Sequence, residues 1–151
     1  MEVYRITHRK WSDKLTASGF PARWNSTGMF MIYTEGSRSL ACFESVVHRG
    51  SSDFVIPFII MEITIPDELE VSEISIDDLP EDWNKTGDPG YRECQPFGDQ
   101  WILESKTAVL KVPSAIIPKE SNYLINLNHP DFLKISIKSE DFFIFYDRIK
   151  G

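Results

Sequence analysis

Arg23, Tyr33, Glu44 and Ser114 are the residues of this chain whose types most readily support chemistry. Each is either costly to bury or commonly used in active sites. Three of them follow one another in a compact stretch that begins with Arg-Trp-Asn at residues 23–25, whereas Ser114 comes far downstream, after a proline. This arrangement indicates a polar site that the fold must assemble from separate elements.

The spacing of apolar residues predicts that Glu44 lies on an amphipathic helix over residues 37–49. At 100° per residue, Leu40, Phe43 and Val47 share one stripe that faces the core, and Glu44 falls beside that stripe. Three side chains are predicted to point the other way: Cys42, Ser45 and Arg49. The sequence therefore predicts an inward-facing carboxylate.

An inward-facing carboxylate is costly to desolvate, so Glu44 requires a cation, several hydrogen-bond donors or a water-filled cleft. One interpretation is a structural ion pair with Arg23 or Arg5. The other is a catalytic carboxylate at the edge of a cleft. The residues alone leave both interpretations open.

The composition predicts a soluble protein with one core. The chain has 151 residues, of which 42% are hydrophobic and 13% aromatic, and we interpret residues 1–151 as a single domain because no linker-like stretch divides them. The net charge of -7 argues against a general nucleic-acid surface, since phosphate contacts need clustered Lys and Arg. Cys42 and Cys94 lack metal-ligand spacing and suggest no disulfide framework, and the most apolar run is too short to span a membrane. We therefore expect a cytoplasmic protein.

Strand-like segments outnumber helical ones. Alternation and β-branched or aromatic enrichment predict strands at residues 3–8, 30–34, 54–65, 108–112, 123–127, 133–137 and 142–146. The order of elements is not a regular βαβ alternation and includes no glycine-rich phosphate-binding loop. The pattern favours an α+β domain with mixed or antiparallel sheets.

Two helices are predicted. The first is at residues 39–49, with Ser37 or Ser39 capping its start, and the second is at residues 98–106, where Trp101 and its two successors face the core. Residues 76–98, which contain several prolines and glycines, are predicted to form an irregular loop.

The set of motifs resembles the RES domain, the toxin half of bacterial Xre–RES toxin–antitoxin systems. That family is named after an arginine, a glutamate and a serine, which Arg23, Glu44 and Ser114 match, and Tyr33 matches the tyrosine between the first two. Further matching segments are Tyr4-Arg5-Ile6, Gly98-Asp99-Gln100-Trp101, Asn126-Leu127-Asn128-His129-Pro130 and Phe145-Tyr146-Asp147-Arg148. Pro21 and Ala22 depart from the pattern, because many members have glycines there, so the backbone before Arg23 is expected to differ.

The resemblance implies a fold like that of mono-ADP-ribosyltransferases and an activity that consumes NAD. Cleavage of the nicotinamide–ribose bond passes through an oxocarbenium-like sugar, which Glu44 would stabilise, and the same carboxylate would orient or deprotonate water. Arg23 would hold the pyrophosphate or a ribose hydroxyl, and Tyr33 would pack against nicotinamide or ribose. Ser114 would hydrogen-bond to substrate or to Glu44 rather than act as a nucleophile.

Arg5 and Asn126 are further candidates for binding NAD. Arg5 is alternatively a surface charge at a strand end, and Asn126 is alternatively part of a turn. NAD is expected as the substrate, without a separate cofactor. No metal site is predicted, because the three histidines lack metal-ligand spacing.

The resemblance also implies an Xre-type helix-turn-helix antitoxin that blocks the pocket and contacts DNA, so that the toxin meets DNA only indirectly. A homodimer is a further expected state, and no membrane partner is expected. Water, phosphate or a side chain of a housekeeping protein would accept the ADP-ribosyl group, which gives an NAD glycohydrolase, a phosphorylase or a mono-ADP-ribosyltransferase. A non-catalytic nucleotide-binding module is the alternative of another class, although such a relic is expected to have lost one of the four residues.

Overall fold

One seven-stranded sheet organises the molecule. The computed structural model describes residues 1–49 and 57–146. The strands are β1 Glu2–His8, β2 Ile32–Glu35, β3 Phe58–Thr64, β4 Val71–Glu73, β5 Val109–Pro113, β6 Ser121–Ile125 and β7 Ser136–Phe143, and the helices are α1 Arg38–His48 and α2 Asp88–Glu104. Across the sheet the order is β4-β5-β6-β2-β1-β3-β7, with β4 and β5 parallel and the other neighbouring pairs antiparallel. This mixed sheet confirms the predicted α+β class.

The two helices cover different halves of one face of the sheet. Ala41 of α1 packs with Ile6, Phe58 and Ile60 above β1 and β3. On the other half, the buried side chains of α2 and the strand residues beneath them form a second cluster that includes Cys94, Trp101, Leu110 and Leu124. The opposite face carries a larger apolar core that includes Val3, Ile32, Met61, Ile63 and Ile125.

The junction between the two halves of the sheet lies at strands β1 and β2. These strands pair at a single position, Tyr4 with Glu35, whereas β1 and β3 pair over seven residues. Directly opposed residues of an antiparallel pair point to the same face, so Glu35 faces the side on which the helices lie. The chain leaves β2 at Glu35 and enters α1 at Arg38, which places the helix and Glu44 above this junction.

Helix α1 confirms the predicted helix but is rotated relative to the predicted wheel. Ser37 caps it, since its Oγ accepts a hydrogen bond from the Leu40 amide at 3.1 Å. Leu40 and Ala41 are buried, whereas Phe43 and Val47, which were predicted to face the core, are 51% and 57% exposed. The prediction ranked positions by apolarity, but the small side chain of Ala41 allows the helix to approach β1 more closely than Phe43 would.

The segment predicted to be an irregular loop at residues 76–98 contains the first half of α2, so that prediction is wrong from residue 88 onward. Pro89 lies in the first turn of the helix, where a proline costs no hydrogen bond, and Gly87 precedes it with a positive φ of 73°. Gly98 is required by packing, because a Cβ there would collide with the carbonyl oxygen of Trp24. Low helix propensity in the sequence therefore reflects close contacts in the fold.

Other boundaries differ in detail. The predicted strands at 133–137 and 142–146 are one strand, β7, because Pro130–Lys134 forms a 3-10 helix whose first turn is capped by His129. The short edge strand β4 was not predicted, and residues 54–56 of the predicted strand at 54–65 lie outside the described residues. Trp101 faces the core as predicted, whereas Leu103 is 72% exposed. Neither helix in residues 1–49 and 57–146 has the length and apolarity needed to cross a membrane.

Candidate active site

Glu44 projects from α1 toward the end of β5. Its side chain is only 13% exposed. One carboxylate oxygen, Oε1, accepts a hydrogen bond from Ser114 Oγ at 2.9 Å, and Oε2 lies 3.6 Å from Nε2 of His48, one turn along the helix. Within the described residues no ion pair joins Glu44 to Arg23 or Arg5, and both guanidinium groups donate to backbone carbonyls instead. The structural ion pair offered as one interpretation of Glu44 is therefore not formed.

Ser114 holds Glu44 in place. It follows the last residue of β5 and is 1% exposed. Its Oγ accepts hydrogen bonds from the amides of Ile116 and Ile117, each at 3.1 Å, and its own amide donates to the carbonyl of Glu120 at 2.9 Å. The hydroxyl proton is thus directed to Glu44 by the tight turn that follows the strand. Ser114 is both a turn serine and the partner of the carboxylate.

Glu35 and Asn122 form a polar pair beneath Glu44 that sequence reasoning missed. They are directly opposed on β2 and β6, and Asn122 is also opposed to Val112 of β5. Because side chains alternate along a strand, Val112 and Ser114 share the face on which Glu35 and Asn122 lie. Glu35 and Asn122 are 9% and 7% exposed. We call Glu44, Ser114, Glu35 and Asn122 the Glu44 corner.

The pKa of Glu35 depends on burial and on two charged residues near the junction of β1 and β2, Glu44 and Arg5. Burial raises the pKa of the Glu35 carboxyl well above its ordinary value, and the Glu44 carboxylate raises it further, whereas Arg5 opposes the shift. Burial in turn lowers the pKa of Arg5, and Glu35 counteracts that effect. Arg5 donates to the carbonyl of Thr16 at 3.0 Å from the middle of β1, so the alternative that it is a surface charge at a strand end is wrong.

Arg23 lies in the loop formed by residues 20–29, which we call the Arg23 loop. Its Nη1 donates to the carbonyl of Trp83 at 2.6 Å, its Nη2 donates to the carbonyl of Lys85 at 3.1 Å, and the guanidinium stacks over the Tyr91 ring at 5.2 Å. These contacts join the loop to the start of α2. A guanidinium has five N–H donors, so this arrangement leaves donors for an anionic ligand.

Tyr33 supports the Arg23 loop from below. Its hydroxyl donates to Oδ1 of Asn25 at 2.6 Å and accepts from the amide of Trp24 at 3.1 Å. Burial raises the pKa of the phenol above its ordinary value, so the hydroxyl keeps its proton at neutral pH. Tyr33 lies two residues before Glu35 and on the same face of the sheet, which connects the loop to the Glu44 corner.

The loop is also fixed to α2 by side chains. Ser26 donates to Asp99 through both its amide and its hydroxyl, at 3.0 and 2.6 Å. Gln95 donates to the carbonyl of Ala22 at 2.9 Å, and Gly98 lies directly against the backbone of Trp24. The Gly98-Asp99 sequence motif therefore serves to hold the loop that carries Arg23.

The structure does not bring Asn126 to this site. Ser114 follows one end of β5, whereas Asn126 pairs through its amide with Ala108 just before the other end. Its Oδ1 accepts from the amide of Asn128 at 3.0 Å, and its Nδ2 donates to Ser105 at 3.4 Å. Its expected role in binding NAD is corrected to the alternative one, a turn after β6.

A surface cavity of about 260 Å³ lies elsewhere, at the edge formed by β4 and β5. Glu73, Lys111 and Lys119 are among its lining residues, and none of the predicted site residues lines it. The constellation that fits catalysis is the Glu44 corner with the Arg23 loop. The mostly buried, oriented carboxylate can stabilise a cation, and the guanidinium of the Arg23 loop has donors that can bind an anion.

Comparison with known proteins finds a matching family and similar sequences. A sequence profile of the RES domain matches residues 2–147. The "Prs ADP-ribosylating toxin" of Sphingobium sp. (strain YBL2) is 40% identical over 125 residues, which cover 80% of this chain and 76% of that protein. "Toxin Res" of Photorhabdus laumondii subsp. laumondii is 34% identical over 149 residues, which cover 94% of this chain and 93% of that protein.

A solved structure shares the fold at much lower identity. A chain in the crystal structure of the M. tuberculosis MbcT-MbcA toxin-antitoxin complex superposes with a TM-score of 0.79 and 16% identity, over 99% of this chain and 88% of that one. This likeness shows a shared fold, whereas the sequence profile and the two relatives show the family. The chain belongs to the RES domain family.

Proposed function

We propose that this protein is the toxin of a toxin–antitoxin pair and that it cleaves the nicotinamide–ribose bond of NAD. One observation carries the proposal. The Glu44 carboxylate is mostly buried and is oriented by Ser114, and within the described residues neither Arg5 nor Arg23 forms an ion pair with it. Its negative charge therefore remains available to a cationic sugar, which is the species that forms when this bond breaks.

The reaction would proceed as follows. The bond between the anomeric carbon and the pyridinium nitrogen breaks, and its electron pair neutralises the nicotinamide ring. The ribosyl group becomes oxocarbenium-like, and Glu44 stabilises it across the low-dielectric corner. A water molecule then attacks the anomeric carbon and loses its proton to Glu44 or to solvent, which gives ADP-ribose.

The arginines would bind the anionic part of NAD. Two N–H groups of Arg23 hold the loop to the segment just before α2, and the remaining donors would bind the pyrophosphate. Arg5 is electrostatically coupled to Glu35, so it would contribute positive charge at the junction of β1 and β2. Tyr33 would act on the substrate through its ring, because its hydroxyl is engaged with Asn25 and Trp24.

Transfer of ADP-ribose to a housekeeping protein is a second candidate function. A specific observation favours it, namely that the Sphingobium relative with 40% identity is named for ADP-ribosylating Prs. The carboxylate chemistry is the same for both reactions, and only the group that attacks the anomeric carbon differs. Phosphate as the attacking group would make the protein a phosphorylase.

We further propose a cognate antitoxin as the protein partner. The solved structure with the same fold comes from a toxin–antitoxin complex, and two relatives with 34% and 32% identity are named Toxin Res. The antitoxin would be of the Xre type, with a helix-turn-helix that contacts DNA. A net charge of -7 on this chain suits such indirect contact with DNA.

Incubation of the purified protein with NAD tests the proposal. Chromatography would follow nicotinamide and the second product, and parallel reactions would contain phosphate or cell extract with labelled NAD. We expect wild-type protein to release nicotinamide. The second product distinguishes the acceptors: ADP-ribose indicates water, its phosphorylated form indicates phosphate, and a labelled protein band indicates protein transfer.

Two variants complete this experiment. Glu44→Gln keeps the size of the side chain but removes its charge, and we expect loss of nicotinamide release. Glu104→Gln makes the same change at the end of α2, where the side chain contacts Gln100 and Lys106, and should leave activity unchanged. Absence of nicotinamide release by wild-type protein under all three conditions would reject the enzyme and favour a nucleotide-binding module.

A further inference from the structure

Asn122 presents an unpaired acceptor to the Glu44 corner. The side chain is 7% exposed, and within the described residues its Oδ1 accepts no hydrogen bond. A buried amide oxygen without a donor is unfavourable by about 1–3 kcal/mol in general, so a ligand that supplies a donor there would gain that interaction. The oxygen lies on the face that carries Ser114 and Glu35.

Glu35 complements Asn122 at the opposed position of the neighbouring strand. Side chains at directly opposed positions have Cβ atoms about 4.5–5.5 Å apart, which is close enough for both to contact one small group. Burial and the nearby Glu44 carboxylate favour the neutral form of Glu35, which offers one O–H donor and one carbonyl acceptor. The pair therefore offers a ligand both a donor and an acceptor.

The charges around the pair select which end of NAD lies there. The Glu44 carboxylate disfavours a phosphate there and favours the positively charged pyridinium ring. The carboxamide is the hydrogen-bonding substituent of that ring. Its NH2 group supplies the donor that Asn122 Oδ1 lacks, and its carbonyl oxygen accepts the proton of Glu35.

We propose that Glu35 and Asn122 bind the carboxamide of the nicotinamide group and thereby place the scissile bond beside Glu44. This inference rests on the proposed NAD-cleaving function. Asn122 and Glu35 would then determine substrate specificity. Neither belongs to the set of four predicted catalytic residues, Arg23, Tyr33, Glu44 and Ser114.

A substrate cycle tests the inference. In 3-acetylpyridine adenine dinucleotide a methyl group replaces the NH2 of the carboxamide, so this analogue cannot donate to Asn122. We expect Asn122→Leu to lower kcat/KM for NAD about tenfold. We expect the variant and wild-type protein to have the same kcat/KM for the analogue, because the analogue cannot make the contact that the substitution removes.

Two matched variants sharpen the cycle. Tyr123→Phe changes the next residue of β6, which points to the opposite face of the sheet, and should leave both substrates unaffected. Glu35→Gln keeps a neutral donor and acceptor and should retain activity within about threefold, whereas Glu35→Leu should lose about tenfold. If Asn122→Leu does not fold, Asn122→Ser removes the same acceptor with less apolar bulk.

Binding measurements separate this inference from the proposed function. In a Glu44→Gln background, which should leave NAD intact, calorimetry can measure the dissociation constants of NAD and the analogue for the same variants. Binding of NAD that depends on Asn122, without any nicotinamide release by wild-type protein, would support the subsite and reject the catalytic proposal. If Asn122→Leu protein distinguished NAD from the analogue as strongly as wild-type protein does, the subsite alone would be overturned. If wild-type protein did not bind NAD, the subsite and the proposed function would both be overturned.

Discussion

The Glu44 corner and the Arg23 loop face the same side of the sheet, but they use their polar atoms differently. In the loop, Tyr33 satisfies Asn25 and Trp24, and Asp99 satisfies Ser26. In the corner, Ser114 provides a single side-chain hydrogen bond to Glu44, and the acceptor of Asn122 is unpaired within the described residues.

This difference separates a scaffold from a reactive site. Internal hydrogen bonds stabilise the loop and fix the position of the Arg23 backbone. Incomplete pairing and a mostly buried carboxylate in the corner are unfavourable for folding, but they leave polar groups for a substrate. Substitutions in the corner should therefore affect activity more than stability, and substitutions in the loop should affect stability first.

The largest effect is expected for Glu44→Gln. We expect kcat to fall by at least about 100-fold, because the charge that stabilises the cationic sugar is lost. The free energy of unfolding should stay within about 1 kcal/mol of the wild-type value, because the glutamine carbonyl can still accept the hydrogen bond from Ser114. Denaturant unfolding with parallel kinetics measures both quantities. If Glu44→Gln lost its activity because the protein unfolds, the distinction between a reactive corner and a stabilising loop would be contradicted.

Gly98→Ala tests the scaffold directly. The added Cβ would collide with the carbonyl of Trp24, which is backbone and cannot rotate away, so the loop must shift. We expect the free energy of unfolding to fall by about 1–3 kcal/mol, as for other overpacked sites. Trp24 fluorescence should change with it. Gln100→Ala, on the exposed side of α2, is the matched control and should change neither.

Tyr33→Phe is expected to affect stability about as much as Gly98→Ala and activity less than Glu44→Gln. Removal of the hydroxyl leaves Asn25 Oδ1 and the Trp24 amide without their partner, and the free energy of unfolding should fall by about 1–3 kcal/mol. Since the aromatic ring remains, we expect kcat to decrease less than in Glu44→Gln. A kcat as low as that of Glu44→Gln, in a variant as stable as wild-type protein, would instead assign a chemical role to the phenol.

Much of the scaffold could be predicted from the sequence because it depends on short-range patterns. Alternation placed six of the seven strands at least in part, and a serine before an amphipathic stretch placed α1. Helix α2 was half missed, because Gly90 and Gly98 lower helix propensity yet are needed where the Arg23 loop and residue Lys85 approach the helix. That requirement involves residues distant in sequence, so no local pattern contains it.

The Glu44 corner was predicted in part. The pairing of Ser114 with Glu44 was one of two alternatives stated for the serine, and the geometry selects it. Glu35 and Asn122 carry no motif, and only the register of β2 against β6 brings them together. A signal was nevertheless present, since Glu35 follows Tyr33 by two residues at the end of a predicted strand and so shares its face.

Glu35 also makes the stability of the protein depend on pH. Because the pKa of Glu35 is higher in the folded than in the unfolded protein, the folded state binds more protons above the ordinary pKa of 4.5. The contribution of Glu35 to stability is therefore complete at low pH and is lost as pH rises through the folded pKa, with a slope of at most about 1.4 kcal/mol per pH unit.

Glu35→Gln removes this titration, while Glu44 and Arg5 are retained. We expect melting temperatures of the variant to decline less than those of wild-type protein between about pH 5 and pH 8. Parallel declines would show that Glu35 is ionised in the folded protein, and the corner would then hold two charged carboxylates.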